Sequence, residues 1–151
     1  MTQKKIVAND ILVTEIARLV NEGSQVTFVP KGVSMLPFIR GERDSVMMTT
    51  PQDLAPLDIV LAKVGTSYVL HRIIKIDGDR LTLMGDGNIA GVEHCRIEDV
   101  LAKATVIIKD GREIDCTGSR HRRKAAIWKA LLPIRRYILA VYRRVFKYKT
   151  I

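Results

Sequence analysis

Short runs of alternating apolar and polar residues, separated by turn residues, constrain the fold of this chain more than any other feature. An alternation with a period of two is typical of strands that are buried on one side. Glycine, proline and aspartate separate the runs, as in Asp77-Gly78-Asp79 and Asp110-Gly111. Strands spaced by about ten to twelve residues predict an antiparallel barrel or sandwich. The predicted strands are Val26–Val29, Asp44–Met48, Asp58–Lys63, Tyr68–Ile76, Arg80–Met84 and Ala104–Ile108.

Helical periodicity flanks this β region on both sides. Asn9-Asp10 precedes apolar residues spaced for one helical face, and Gly23 stands where a helix would end, which together predict an amphipathic helix over residues 9–22. No second helix follows it, which argues against a helix-turn-helix repressor. The helical period returns at Ala125, and Pro133 predicts a kink or two shorter helices. We therefore expect a mainly β domain, α+β overall, with an N-terminal helix and a C-terminal helical tail.

Basic residues are concentrated at the C-terminal end. The chain has 151 residues, the length of one domain, and a formal net charge of +9. Residues 119–151 contain eleven Lys or Arg and no Asp or Glu, whereas residues 1–118 contain 14 basic and 16 acidic residues. This asymmetry predicts a β domain over 1–118 and a basic tail over 119–151 that has an anionic partner of its own.

The sequence also bears on redox state, cofactors and membrane insertion. Cys95 and Cys116 are too few for a disulfide framework, which favours a reducing compartment or indifference to redox. No compact ligand spacing predicts a metal site, and we expect no cofactor. The longest apolar stretch, Ala125–Tyr142, contains three basic residues, so it falls short of the ~18–20 uncharged residues of a spanning helix. Since no export signal is apparent either, we expect a cytoplasmic protein.

Two segments of the β region contain a candidate nucleophile and a candidate general base. Ser34 lies in an irregular stretch between Gly32 and Pro37, where its hydroxyl can project and backbone N–H groups can converge on one point, as in an oxyanion hole. His71 shares one face of a predicted strand with Ile73. A neutral imidazole in such a position can take a proton from a serine hydroxyl.

A third segment, the tight turn Gly85-Asp86-Gly87-Asn88, could supply an Asp or Asn that holds an imidazole in its productive tautomer. Each of the three segments is, by itself, more typical of structure without chemistry: an ordinary loop, a hydrogen-bonded strand histidine and a common turn. Only their meeting in space would make a catalytic site.

Taken in order, these segments resemble the clan of type I signal peptidases. The likeness covers residues 26–108 and is greatest to the endoplasmic-reticulum and archaeal-type branch, in which histidine replaces the lysine of the bacterial enzymes. The motifs that carry it are Gly32-x-Ser34-Met35-x-Pro37, Gly41-x-x-Asp44, Leu57-Asp58-Ile59-Val60, His71-Arg72-Ile73 and Gly85-Asp86-x-Asn88.

The resemblance implies a mostly β peptidase fold, shared with LexA-type self-cleaving repressors, and a serine endopeptidase that cleaves a leader or precursor peptide. Ser34 would be the nucleophile, His71 the general base and Asp86 the third member. The backbone N–H groups of Ser34 and Val33 would stabilise the oxyanion. Supporting positions are Met35 and Pro37 in the serine loop and Gly85 and Asn88 in the turn.

The chain departs from the family in three respects. Leu36 stands where glutamate is common between Met and Pro. The endoplasmic-reticulum branch has a second acid six residues after the Asp of its Gly-Asp-x-Asn motif. Here that position is Val92, with Glu93 one step further, so the identity of the orienting acid stays open. Signal peptidases normally begin with a transmembrane anchor, whereas this chain begins with a predicted amphipathic helix.

The basic tail has more than one interpretation. Its apolar arc and basic face suit the inner surface of an anionic membrane, or a partner protein. Alternatively, the apolar stripe packs on the domain as a core helix. A nucleic-acid arm ranks last, because the arc is too apolar for one. The residues expected to contact a membrane or partner are Trp128, Lys129, Arg135, Arg136, Arg143 and Arg144.

The sequence leaves two alternatives to a peptidase that cuts other chains. One is a non-catalytic scaffold on the same fold, which binds peptides or docks on a membrane. The other is a LexA-like regulator that cleaves itself. In the peptidase, the substrate peptide would bind as an added strand along an exposed sheet edge.

Overall fold

The structure, a computed structural model, describes residues 2–146, with side chains from residue 10 onward. Tail residues 147–151 lie outside the described residues.

Across the described residues, eight antiparallel strands form one curled sheet, a half-barrel. The order is β1-β2-β7-β3-β4-β5-β6, with β8 paired to β7. The mainly β fold expected from the sequence is therefore confirmed, with a helix before the sheet and helices after it. The strands are β1 (Val26–Phe28), β2 (Ser45–Thr49), β3 (Ile59–Val64), β4 (Ser67–Asp77), β5 (Arg80–Met84), β6 (Glu93–Arg96), β7 (Val100–Lys109) and β8 (Arg112–Asp115).

Two strands, β6 and β8, were not expected from the sequence. Each has four residues, three of which are polar or charged, so neither shows an apolar alternation long enough to detect. They form because β5 and β7 offer them unpaired backbone groups. The failure to predict β6 has the larger consequence for the candidate site, since this strand carries Glu93.

The first helix, α1, spans Thr2–Asn21. The predicted start at Asn9 is wrong, because residues 2–8 contain no Gly or Pro and the helix runs through the Asn-Asp signal. Ile11, one of the apolar residues on which the amphipathic helix was predicted, is 66% exposed. The face that packs on the sheet consists of Val13, Ile16 and Val20.

Apolar side chains bury both faces of the central strand β3. Ile59 and Leu61 pack beneath α1, while Val60 and Ala62 point to the opposite face, against a cluster on β4 and β5. Each such burial of a large aliphatic side chain contributes roughly 1.5–3 kcal/mol. The fixed β3 in turn holds β4, which carries His71, because the two strands pair along the whole of β3.

The tail forms two helices, α2 (Ser119–Ala130) and α3 (Arg135–Phe146), joined by a 3₁₀ turn at Leu132–Ile134. The break at Pro133 confirms the prediction of two shorter helices. Trp128 and Leu139 from these helices form a buried cluster with Leu36 of the segment between β1 and β2. Within residues 2–146, none of the helices has the length and apolar character needed to cross a bilayer.

Candidate active site

Ser34 lies in the loop that joins β1 to β2. Two glycines close the neck of this loop: a Cβ on Gly41 would lie 2.0 Å from the carbonyl oxygen of Gly32, whose φ is +90°. Larger residues could not approach so closely. Inside the neck, Leu36 N–H donates to Val33 O at 3.2 Å. The Leu36–Pro37 peptide bond is cis.

Buried neighbours anchor the serine from below. Met35 packs in the cluster beneath α1, and Leu36, which is fully buried, packs against the tail helices. Ser34 between β1 and β2 is only half-buried. The loop therefore holds its hydroxyl-bearing residue at the surface while the next two side chains are fixed in different cores.

The Gly85–Asn88 turn docks directly on the serine loop. Gly87 N–H donates to the carbonyl oxygen of Ser34 at 2.8 Å. A Cβ on Gly85 would lie 2.4 Å from that same oxygen, and a Cβ on Gly87 would lie 2.2 Å from Val33 O. Glycine is therefore required at both positions for the two backbones to approach. Asn88 closes the turn by donating its N–H to Gly85 O at 3.0 Å.

His71 and Ser34 line one cavity of about 170 Å³. His71 is 6% exposed, and its Nε2 atom lies 3.0 Å from the position that a Cβ on Gly85 would occupy. The carbonyl oxygen of Ser34 lies 2.4 Å from that same position, so the imidazole edge faces the serine loop. No hydrogen bond joins the two side chains in the part of the chain described. In free enzymes the nucleophile and its base often lie farther apart than hydrogen-bond distance, and they come together when substrate binds.

The other ring nitrogen of His71 is held by a carboxylate. Nδ1 lies 2.5 Å from Oε1 of Glu93, whose side chain is 25% exposed. Glu93 pairs with Leu83 on β5, and Leu83 pairs with Ile73 on β4. Because His71 is two residues before Ile73, the pleat places its side chain on the same face as Glu93. A carboxylate can only accept, so in a neutral imidazole this hydrogen bond places the proton on Nδ1 and leaves Nε2, near the serine loop, as the acceptor.

The expectation that Asp86 orients the histidine is wrong. Both oxygens of the Asp86 carboxylate accept hydrogen bonds from the Arg72 guanidinium, at 2.9 and 2.7 Å. Arg72 follows His71 on β4 and therefore points to the opposite face of the sheet. Both partners of this ion pair are at least 96% buried, so Asp86 anchors the turn rather than the imidazole.

The tail helices support the same turn from behind. Trp128 Nε1–H donates to the carbonyl oxygen of Asp86 at 2.8 Å, and Arg135 Nη1 donates to the carbonyl oxygen of Asn88 at 3.0 Å. The Arg135 guanidinium lies over the Trp128 ring, 5.0 Å from its centroid. Burial lowers the pKa of Arg135 below its usual range. The sequence analysis missed this role, for which no local pattern gives a signal.

These contacts correct part of the expectation for the tail. Trp128 and Arg135 were expected at a membrane or partner, but they are 7% and 4% exposed and face the domain. Lys129 also reaches back, donating to Ile74 O at 2.9 Å. Arg136 and Arg144 are exposed, and Arg143 is half-buried. The packing alternative therefore describes the inner face of the tail.

His121 is a further buried group that the sequence analysis did not assign. It lies on α2, with Nε2 3.2 Å from Arg72 Nη1 and its ring against Phe38, at 5.3 Å between centroids. Burial, together with the neighbouring Arg72 charge, lowers the pKa of His121 to about 4. The ring is therefore neutral at pH 7 and accepts a hydrogen bond from Arg72.

Two acids of the motifs fix the loops around the site. Asp44 accepts hydrogen bonds from the backbone and side chain of Arg40 at the end of the serine loop. Burial opposes its ionisation, but the Arg40 hydrogen bonds and the Lys109 charge prevail and lower the pKa of Asp44. Asp58 accepts from the Ala55 N–H and from Arg122 of α2.

Within the described residues, no cluster of three or more His, Cys, Asp or Glu side chains could hold a metal ion. No protein-family model matches this chain, and no curated protein matches it either. Support for the candidate site therefore comes from its geometry together with the sequence motifs from which it was predicted.

Proposed function

We propose that this protein is a serine endopeptidase in which Ser34 is the nucleophile and His71 the general base. Glu93 takes the place of the third member, as the carboxylate that orients the base. One observation carries the proposal: His71 and Ser34 line the same cavity, and a carboxylate holds His71 Nδ1 while Nε2 lies near the serine loop. A serine, an oriented imidazole and a carboxylate are the parts of a catalytic triad, whichever fold supports them.

The reaction would proceed through an acyl-enzyme. Ser34 Oγ attacks the carbonyl carbon of the scissile peptide bond as its proton passes to His71 Nε2. The tetrahedral intermediate then collapses, the C–N bond breaks, and His71 gives the proton to the leaving amine. A water molecule, deprotonated by His71, then attacks the ester carbonyl. The bond from the acyl carbon to Ser34 Oγ breaks, His71 returns the proton to Oγ, and the carboxylic acid leaves.

Backbone amides would stabilise the oxyanion. In the serine loop the described backbone hydrogen bonds begin at Leu36 N–H, and none uses the N–H of Val33 or Ser34. The loop is fixed at its neck and by its buried side chains, so these donors need no reorganisation during the reaction. Such preorganised donors are worth about 10²–10³-fold in turnover in serine peptidases.

An extended peptide could reach the site along β1. Among the described strands β1 pairs only with β2, so its other edge is open for strand addition. An apolar cavity of about 260 Å³ beside it is lined by Phe28, Val29 and Tyr68, and it adjoins the Ser34 cavity through Pro30 and Leu70. This favours a leader or precursor peptide that is extended and apolar.

The test is cleavage of a mixture of unstructured peptides, followed by mass spectrometry, with the wild type and Ser34→Ala. The exposed Ser24→Ala serves as the matched control. We expect cleavage by the wild type and by Ser24→Ala, and a loss of about 10³-fold or more in Ser34→Ala. Cleavage that persists in Ser34→Ala would overturn the assignment of the nucleophile.

Two further outcomes would contradict a peptidase that acts on other chains. Peptide binding without cleavage, with equal affinity for the wild type and Ser34→Ala, would favour the non-catalytic scaffold. Loss of the intact chain mass on incubation, with no cut in added peptides, would favour the self-cleaving regulator.

A further inference from the structure

The tail helices have two faces of different character. The inner face is buried on the domain through Trp128, Arg135 and Leu139. The outer face exposes large apolar side chains that belong to none of the buried clusters: Ile127 (54% exposed), Ile134 (48%), Tyr137 (66%), Val141 (63%) and Val145 (64%). The sequence analysis assigned the apolar stripe but did not distinguish these outward residues from the inward ones.

On α3 the exposed apolar residues form a continuous stripe. Tyr137, Val141 and Val145 are spaced by four residues each, which places them on one side of α3, and Ile134 ends the 3₁₀ turn three residues before Tyr137. At 1.5 Å per residue the α3 part of the stripe is about 12 Å long. A row of this length that faces away from the domain is more than the scattered apolar residues of an ordinary surface.

The charge around the stripe has one sign. Residues 119–151 contain eleven Lys or Arg and no Asp or Glu. Arg144 lies on the flank of the stripe, and further exposed basic residues on the tail are Arg120, Arg123, Lys124 and Arg136. Any occupant of this face must therefore accept apolar side chains at the centre and positive charge around them.

We propose that the outer face of α3, with Ile127 of α2, docks on an anionic lipid bilayer, the helix lying in the plane of the interface. A bilayer satisfies both demands, because its acyl region accepts the stripe and its anionic headgroups attract the basic side chains. Nucleic acid would use the charge and leave the stripe exposed. A protein partner would need a complementary acidic groove of matching shape, whereas a fluid interface does not.

The inner face of the same helices sets where the candidate site would lie. Trp128 and Arg135 hold the Gly85–Asn88 turn, so the tail would place the Ser34 loop about one helix diameter, ~10 Å, from the membrane surface. The docking surface does not depend on the proposed peptidase activity. It would stand even if Ser34 were not a nucleophile.

The test is co-sedimentation of the full chain with vesicles of phosphatidylcholine alone or with about 30% phosphatidylglycerol. We expect the wild type to bind the anionic vesicles at least about ten times more tightly than the neutral ones. Val141→Asp should reduce this affinity about tenfold or more, since it removes an inserted side chain and adds a repelled charge. Arg144→Gln should reduce it about fivefold.

Ile11→Asp is the matched control, because Ile11 is also an exposed helical aliphatic, 66% accessible, but lies on α1. It should bind like the wild type. Circular dichroism should be unchanged in all variants, since each replaces an exposed residue. Failure of the wild type to bind anionic vesicles, including failure accompanied by binding to an acidic protein, would overturn the proposal. Equal binding by Val141→Asp, or equal binding to neutral vesicles, would overturn it too.

Discussion

His71 Nδ1 lies 2.5 Å from Oε1 of Glu93, a carboxylate carried by the edge strand β6. This contact orients the imidazole toward the Ser34 cavity. Glu93→Gln should therefore keep the fold but lower the turnover number by about 10²–10⁴-fold, because the amide no longer stabilises the imidazolium or fixes its tautomer. Steady-state kinetics on a cleaved peptide would measure this, with the Michaelis constant changing little.

Glu98→Gln is the control for that experiment, because it makes the same chemical change at an exposed residue nearby. Its turnover should match the wild type. Wild-type turnover in Glu93→Gln would show that the carboxylate does not act through His71.

Trp128→Phe should destabilise the protein and weaken the candidate site together. The change keeps an aromatic ring, though a smaller one, and removes the N–H that donates to Asp86 O at 2.8 Å. A buried carbonyl left without its donor costs about 1–3 kcal/mol, and the lost ring volume adds to this. Urea denaturation should report a loss of at least this size, and reaction of Ser34 with a serine-directed probe should slow. Tyr137→Phe, at an exposed aromatic residue, should change neither quantity.

Gly87→Ala should separate the turn from the serine loop. The added Cβ would meet Val33 O at 2.2 Å, and the Ser34 carbonyl would lose its Gly87 donor when the turn shifts. We expect a destabilisation of more than about 2 kcal/mol, measured by thermal or urea unfolding.

Gly91→Ala provides the comparison for Gly87→Ala. Gly91 has a φ of +86° and nothing within 4 Å of an added Cβ, so only backbone strain, about 1 kcal/mol, should appear. Equal effects at the two positions would mean that the close approach of the two loops is unimportant.

Mild acid should destabilise the fold through His121. Burial and the Arg72 charge lower the pKa of His121 from 6.5 to about 4 in the folded state. Between those two values the unfolded chain binds the additional proton, so stability is full above pH 6.5 and falls as the pH drops toward 4. Between pH 7 and 5 the contribution of this group should fall by about 2 kcal/mol.

Urea denaturation of the wild type and His121→Gln at pH 7 and pH 5 would measure that difference. Glutamine keeps an acceptor for Arg72 but does not titrate in this range, so the variant should show the smaller pH dependence. An identical pH dependence in both proteins would rule out His121 as the source.

The strands that position Ser34 and His71 could be predicted because they are long enough for the alternation to be detected. The turn at residues 85–88 could be located for the same reason, since its glycines follow the strong strand β5. The partner of His71 could not be fixed. Asp86 lies in the expected turn, but the adjacent residues His71 and Arg72 face opposite sides of β4, so Asp86 meets Arg72 instead.

The support from the tail could not be predicted either. Trp128 and Arg135 are separated from the turn by about 40 or more residues of chain, and their apolar and basic character equally suits a membrane surface. Periodicity shows that a helix is amphipathic, but it does not show whether the domain, a membrane or a partner protein covers each face. Here the helix pair is covered on one face by the domain and open on the other.

The most direct test of the central claim is intact-mass measurement after reaction with a fluorophosphonate, which forms a bond to an activated serine. The wild type should gain one adduct that peptide mapping places on Ser34. Ser34→Ala should gain none, and His71→Ala should react several orders of magnitude more slowly while remaining folded. Equal labelling of Ser34→Ala, or labelling of His71→Ala at the wild-type rate, would contradict a hydroxyl activated by that imidazole.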